Sequence, residues 1–428
     1  MGASFNHDYY DERFNSLGPL PKAESKVSKE TTPGLYAQYA YKLGDKLTVM
    51  PGVRWDHSDR YGSFVTPRLH IKYSPSEIVT LRTSIGKGYR SPHALAENVT
   101  LLASGREIII DSDLKQEEAW NMGASLGFNI PLFGKNLELN AEYYYTDFKH
   151  QMIMNFDGAK GEHTLSFENL DGKSYSHTFQ VDATYALFSG MTTTAAFRLN
   201  DVKCTYDGVL RQKPLTSRYK GLLTLSYKTP LELWQFDATG QLNGGGELYD
   251  RSRYPAYFQL QAQVTREFHN FSLYLGGENL TNYKIANPIL HSHHPWSAAF
   301  DATQVWAPVT RAMAYVGIRF TLENVIKNII KTRIIMKKNL LVAFMLVVAG
   351  NTFAKTAVDT LVVTTQPQMH CQGCENKIKN NIRFVKGTKQ ISTSLEEQKV
   401  TIVYNSKKAN YDDFVAAFKK IGYEIKKK

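Results

Sequence analysis

Cysteine is scarce. The 428 residues hold three, Cys204, Cys371 and Cys374, which excludes a disulfide framework and leaves one isolated thiol beside one close pair. The plain reading of Cys204 is a buried or lumen-facing structural thiol. Long apolar runs are scarce too. The stretch Leu340 to Ala349 is only about ten residues, where a bilayer-spanning helix needs around twenty, so no stable helical anchor is expected. No phosphate-binding glycine loop, Ser/His/Asp set or paired carboxylates at a pocket can be found, and an enzyme is not expected. Formal net charge is +11, but much of the excess is lysine in the C-terminal third, including Lys426, Lys427 and Lys428. With no basic recognition helix or stacking motif beside it, nucleic acid is not an expected partner.

Aromatic side chains are plentiful, with 25 Tyr and 22 Phe. They fall into long segments of period two. Leu137, Leu139, Ala141, Tyr143 and Tyr145 share one face, while Asn136, Glu138, Asn140, Glu142 and Thr146 share the other. Val79, Leu81 and Ile85 alternate likewise with Thr80, Arg82 and Ser84, as do Phe271, Leu273 and Leu275 with Ser272, Tyr274 and Glu278. Such segments run to about ten residues or more, longer than the strands of soluble sandwiches. A sheet with one wet and one greasy face that crosses a bilayer must close, because each unpaired backbone group in hydrocarbon costs several kcal/mol. The expectation is an all-β transmembrane antiparallel barrel over residues 34–322, with roughly a dozen to fourteen strands. Residues 1–33 read as a loop or partial strand. Arg311 to Leu322 reads as the closing strand.

Three runs carry a family resemblance. Thr66-Pro67-Arg68-Leu69 is followed by Leu81-Arg82-Thr83-Ser84-Ile85-Gly86-Lys87-Gly88-Tyr89-Arg90-Ser91-Pro92. Glu278-Asn279-Leu280-Thr281-Asn282 precedes a long loop. Phe300-Asp301-Ala302 and Val305-Trp306-Ala307-Pro308 lead to Arg311 and Tyr315-Val316-Gly317-Ile318-Arg319-Phe320. In this order they resemble the C-terminal barrel part of TonB-dependent outer-membrane receptors of the Bacteroidetes type. The resemblance implies an outer-membrane location, lipid as a partner and uptake of a ligand. Barrels of this kind have about 22 strands and a plugged lumen. No plug or TonB box precedes the barrel strands, so the expected barrel is incomplete and open, without TonB contact. Physical readings stand beside the match: Gly86 and Gly88 leave room for a close neighbour, and Ser91-Pro92 ends pairing because proline cannot donate. His291, His293 and His294 beside Trp296 offer a metal contact at the mouth, although loop histidines are commonly just solvated.

Residues 323–335, drawn almost wholly from Asn, Ile and Lys, read as a linker or a translated spacer. Residues 336–354 read as an internal signal peptide: Met336-Lys337-Lys338 is a positive start, Leu340 to Ala349 an apolar run, and Thr352-Phe353-Ala354 a small-residue cleavage site. The segment 355–428 would then be periplasmic.

That last segment reads as strand, helix, two strands, helix, strand, a small α+β ferredoxin-like βαββαβ domain. Thr360 to Thr365 is the first strand. Ile378, Ile382 and Val385 share one helix face, Gly387 ends that helix, and Asn410 caps the next, which turns Phe414, Phe418 and Ile421 inward. Two thiolates three residues apart, Cys371 in a loop and Cys374 at a helix start, can converge on one soft ion. Cu(I) suits them best, with Zn(II) or another soft divalent metal as competitor. Two sulfurs leave the site open to a third ligand from a metal-transfer partner protein. Met369 reads as packing beneath the loop and His370 as solvent-facing. The combination Met-x-Cys-x-x-Cys, a glycine after the helix and the late Gly422-Tyr423 resembles the heavy-metal-associated domain of copper chaperones and mercury-binding proteins. Two alternatives stay open: a periplasmic copper-binding protein beside a non-functional barrel remnant, and a thiol-disulfide redox protein.

Overall fold

The computed structural model describes residues 1–15, 23–320 and 358–428. The linker and signal-peptide readings, 323–335 and 336–354, lie outside the described residues, as does the 355–357 start of the last domain. The first strands are β1 (Gly2–Asn15), β2 (Ala23–Gln38), β3 (Tyr41–Leu43), β4 (Leu47–Ser58), β5 (Gly62–Tyr73) and β6 (Val79–Arg90). Then come β7 (Glu107–Ile110), β8 (Glu117–Leu132), β9 (Lys135–His150), β10 (Met152–Phe156), β11 (Thr164–Asn169), β12 (Ser174–Phe188) and β13 (Met191–Tyr206). After β14 (Val209–Gln212), β15 (Tyr219–Lys228), β16 (Trp234–Asn243), β17 (Gly246–Glu247) and β18 (Arg253–Tyr254) follow β19 (Tyr257–Glu267), β20 (Phe271–Glu278) and β21 (Met313–Phe320). The C-terminal part comprises β22 (Val358–Gln366), α1 (Gln372–Ile382), β23 (Thr388–Ser394), β24 (Lys399–Asn405), α2 (Tyr411–Lys420) and β25 (Glu424–Lys427).

One continuous antiparallel path of 14 strands, β1-β2-β4-β5-β6-β8-β9-β12-β13-β15-β16-β19-β20-β21, makes the wall. Among the described residues its two ends, β1 and β21, do not pair, so the sheet is barrel-like without closure. The N-terminal boundary differs from expectation. Of residues 1–33, expected as a loop or partial strand, the described 2–15 form β1 and 23–33 most of β2, paired from Gly2↔Tyr36 to Asn15↔Ala23 as part of the wall.

Register sorts the side chains. Leu137, Leu139, Ala141, Tyr143 and Tyr145 stand opposite Tyr185, Ala183, Val181, Phe179 and His177 on one side, and opposite Ile130, Phe128, Leu126, Ala124 and Met122 on the other. The apolar face is therefore continuous from strand to strand. Its side chains are open to the surroundings: Leu275 is 61% exposed, Val316 79% and Phe320 63%. An apolar surface of that extent is a liability in water and the expected wall in lipid. The other face is a polar ladder, in which Ser226 donates to Asp237 at 2.6 Å and the hydroxyls of Thr224 and Thr239 lie 3.1 Å apart.

Connections alternate in length. Phe133 and Gly134 join β8 to β9 with φ of +48° and +74°, the positive pair that a two-residue hairpin needs to follow strand twist. The opposite ends carry long connections, over which β10-β11-β7 forms a separate sheet. Leu165 and Phe167 are fully buried there, packed with Leu95, Leu101, Met152 and Phe156. Arg106, buried with them, is bridged to Asp157 and Asp301. Asn279, with φ +50°, donates to the carbonyls of Tyr283 at 2.7 Å and Thr310 at 3.1 Å, fastening both ends of the last long connection. The two glycines of the β6 motif differ. A Cβ on Gly86 would meet Arg68 at 3.4 Å, whereas one on Gly88 would meet nothing within 4 Å, so the close neighbour expected there is absent. Cys204 is buried at 3% exposure.

In the C-terminal part the sheet order is β23-β24-β22-β25, with α1 and α2 contributing to one core. Val363, Ile378, Ile382, Val400, Ile402, Phe414 and Phe418 are fully buried. The Asn410 side chain accepts from the Asp413 N–H at 3.1 Å, while Asp413 accepts from the Asn410 N–H at 2.9 Å, a complete capping box. Helix α1 stops at Ile382 with Arg383 as its cap, earlier than the expected stop at Gly387. Val385 packs against the core from beyond the helix. Gly387 has φ +91°, and a Cβ there would lie 2.8 Å from Lys408 Cβ, so the glycine serves a turn and a close approach.

Candidate metal centre

The loop that leaves β22 is held from below. Met369 is 1% exposed, its N–H donates to Gln398 Oε1 at 3.1 Å and its carbonyl accepts from Gln398 Nε2 at 2.9 Å. This anchors the backbone just before Cys371, as expected of a residue that packs rather than ligates. His370 is exposed.

Cys371 is the N-cap of α1, in extended conformation, and its side chain makes no capping hydrogen bond. Its carbonyl accepts from the Cys374 N–H at 2.9 Å, closing the first turn and bringing the two sulfurs to 3.7 Å. Cys371 is exposed and Cys374 half-buried. Hydrogen bonding from the His370 backbone, then from the Tyr423 hydroxyl and the Cys371 thiol, lowers the Cys374 thiol to about 7. These donors favour the thiolate, as the N-terminus of a helix does. Tyr423 moves the other way, to about 12, through burial first and its bond to Cys374 second. Lys377 lies over its ring at 5.3 Å.

Cys371 and Cys374 are thus brought together, and Tyr423 joins them from the far end of the domain. Nothing in local spacing marks Tyr423 as a thiol partner. Among the described residues no group of three or more His, Cys, Asp or Glu side chains is placed to hold a metal ion, so the sulfur pair stands without a third protein ligand of those types. The donor set fits a soft ion of low coordination number. His291, His293 and His294 are exposed and belong to no such group.

Residues 363–424 match the heavy-metal-associated domain. Over 103 residues the chain is 31% identical to the ferric enterobactin receptor of Pseudomonas aeruginosa strain PAO1, a stretch amounting to 24% of this chain and 14% of that receptor. The fold is similar to that of a mutant ferric enterobactin receptor from P. aeruginosa, at 18% identity and a TM-score of 0.53, covering 74% of this chain and 50% of that one. The siderophore receptor PirA of Acinetobacter baumannii aligns at 15% identity and a TM-score of 0.51, covering 69% and 46%. The chain spans about half the length of these solved receptors. Both matched families bind or transport rather than catalyse. Residues 1–280 match the family described as TonB dependent receptor-like, beta-barrel, and since that is well over half of a chain whose wall folds as one antiparallel meander, the protein belongs to the TonB-dependent receptor family and carries a heavy-metal-associated domain after the barrel segment.

Proposed function

We propose that the barrel segment belongs to an outer-membrane uptake receptor for a metal or metal chelate, and that the C-terminal domain is a periplasmic carrier that takes one Cu(I) between Cys371 and Cys374 and hands it on. The observation that carries the carrier reading is the sulfur pair, 3.7 Å apart at the N-terminus of α1 with Cys371 exposed. Soft thiolates favour Cu(I) over Zn(II) in a site of low coordination number. A site with two protein donors also accepts a third from a partner, which suits transfer better than permanent retention. The receptor reading draws on the family, and the cargoes its relatives are named for, ferric enterobactin and siderophores, make a metal chelate the natural cargo class.

The test is a competition titration of residues 355–428, which have their own core, against a Cu(I) chelator under reducing conditions. About one Cu(I) per domain is expected. Cys371→Ser or Cys374→Ser should abolish tight binding, and His370→Ala should change it much less. Unchanged affinity in the Cys371→Ser variant, or equal binding by the disulfide form, would move the thiols from metal carriage to redox exchange.

A further inference from the structure

The apolar face of the wall carries charge differently at its two ends. Register places Asp11 and Arg13, Asp147 and Lys149, and Asp201 and Lys203 on that face toward the long connections. Acids and bases are paired there, at 2.7 Å for Arg13–Asp11, 2.5 Å for Lys149–Asp147 and 3.6 Å for Lys203–Asp201. Toward the short turns the same face has no carboxylate at any described strand position, and its two charges are basic. Lys135 stands beside Leu132 at the β8–β9 hairpin, and its ammonium, covered by protein atoms, has no acceptor among the described residues. Arg266 stands between Trp234 and Leu273, in line with Phe236, Val264 and Leu275.

Arg266 is half-buried among aromatic rings. Its guanidinium lies 4.9 Å from the Trp234 ring and 5.6 Å from that of Phe268. The rings hold it through their faces and accept none of its five N–H donors. Among the described residues no carboxylate, carbonyl or hydroxyl accepts them either. We infer that Arg266, steadied by Trp234 and Phe268, binds the phosphodiester of a glycerophospholipid in the leaflet level with the short turns. A guanidinium fork matches two phosphate oxygens at once, and the rank of Phe236, Val264 and Leu275 gives the acyl chains an apolar track. Free phosphate satisfies only the guanidinium. A lipid without phosphate satisfies only the track.

The proposal rests on the apolar face being lipid-facing, and the test separates the two. The full chain in detergent is charged with phosphatidylglycerol or with diacylglycerol, and retained lipid is counted by native mass spectrometry. Arg266→Gln should lose about fivefold in phosphatidylglycerol retention, the scale of one basic residue at an anionic lipid surface, and Arg266→Lys should recover part of it. Diacylglycerol should be retained equally by wild type and Arg266→Gln, and millimolar inorganic phosphate should displace no lipid. Arg319→Gln, altering an arginine of the polar face that sits 5.9 Å from the Tyr274 ring, should leave retention unchanged. Equal phosphatidylglycerol retention by Arg266→Gln, the same loss in Arg319→Gln, or displacement by inorganic phosphate overturns the proposal. Failure of wild type to hold diacylglycerol overturns the lipid-facing assignment beneath it.

Discussion

Replacing Tyr423 by phenylalanine removes one hydroxyl and leaves the ring in its buried place, which makes it a clean perturbation of the thiol pair. The Cys374 thiol is lowered from 9.0 to about 7, with the His370 backbone as the largest cause, the Tyr423 hydroxyl next and the Cys371 thiol after it. A group titrating near 7 is about half ionised at neutral pH, whereas one at 9.0 is ionised in about one molecule in a hundred. Tyr423→Phe deletes the second cause and keeps the rest. The Cys374 midpoint should rise by roughly half a unit to one unit and stay below 9.0. The assay is the pH dependence of iodoacetamide alkylation on reduced full-length protein, assigned to each sulfur by tandem mass spectrometry of the digest. A wild-type Cys374 midpoint near 9.0 would refute the account of the loop, and an unmoved midpoint in Tyr423→Phe would refute the role of the hydroxyl. The sign for stability follows. Because the folded value lies below the unfolded one, the Cys374 contribution is complete above about pH 9, shrinks as pH falls, and is lost below about pH 7. Cu(I) affinity should weaken over the same descent, as protons compete for sulfur.

Other outcomes test the two folds. Phe414→Ala, at a side chain with no exposure, should destabilise the C-terminal domain by about 3–5 kcal/mol and leave it largely unfolded by circular dichroism at 37 °C. Asn410→Ala dismantles the capping box and should cost about 1 kcal/mol, lowering Tm by roughly 4–8 °C in a calorimetric scan of a domain this size. Val181→Arg puts charge on the apolar face midway along β12 and should destabilise the membrane-inserted wall by about 2–4 kcal/mol, as read by urea unfolding in lipid vesicles. Asp182→Arg, one residue on and facing the other way, should cost far less. Equal costs at these two positions would refute the assignment of faces.

Much of the wall was legible because its period is two and its register preserves the sorting. Once Leu137, Leu139 and Ala141 share a face, pairing with Tyr185, Ala183 and Val181 extends it without further information. Where the apolar face gives way to charge, the pattern fails as a guide. Asp11 and Arg13 sit outward on β1 beside Tyr9, and such mixed positions hide a strand whose backbone pairs as well as any other. The β10-β11-β7 sheet was invisible for another reason. Ile108 of β7 pairs directly with Leu165 of β11 although β8, β9 and β10 lie between them in the chain, and no local spacing encodes a contact of that range. The domain behind Cys371 was more transparent, since the Asn410 cap bonds Asp413 and the Cys371 carbonyl takes the Cys374 N–H within one helical turn, although Met369 is held by the distant Gln398. Gly387 misled because a left-handed glycine just past a helix usually caps it, whereas here a short turn intervenes and the missing Cβ makes room for Lys408. Tyr423 reaches Cys374 only through the closed sandwich.

The two parts solve the burial problem in opposite solvents, and this explains why one chain carries such different surfaces. The C-terminal domain hides Val363, Ile402, Phe414 and Phe418 from water, so its thiols sit on a fold that stands whether or not a metal is bound. The wall leaves Leu275, Val316 and Ile318 open, and only hydrocarbon against them removes that cost. Between its two edge strands its backbone is paired strand by strand, and its polar face carries hydroxyl and carboxylate ladders, which leaves the outer rim as a place where protein and lipid chemistry must meet. At the long-connection end that meeting is settled within the protein by Asp147 with Lys149 and Asp201 with Lys203. At the short-turn end Arg266 has aromatic rings and, among the described residues, no bonded anion. The missing counter-charge is then a matter for the membrane, whose phosphates lie at the level where the apolar face ends.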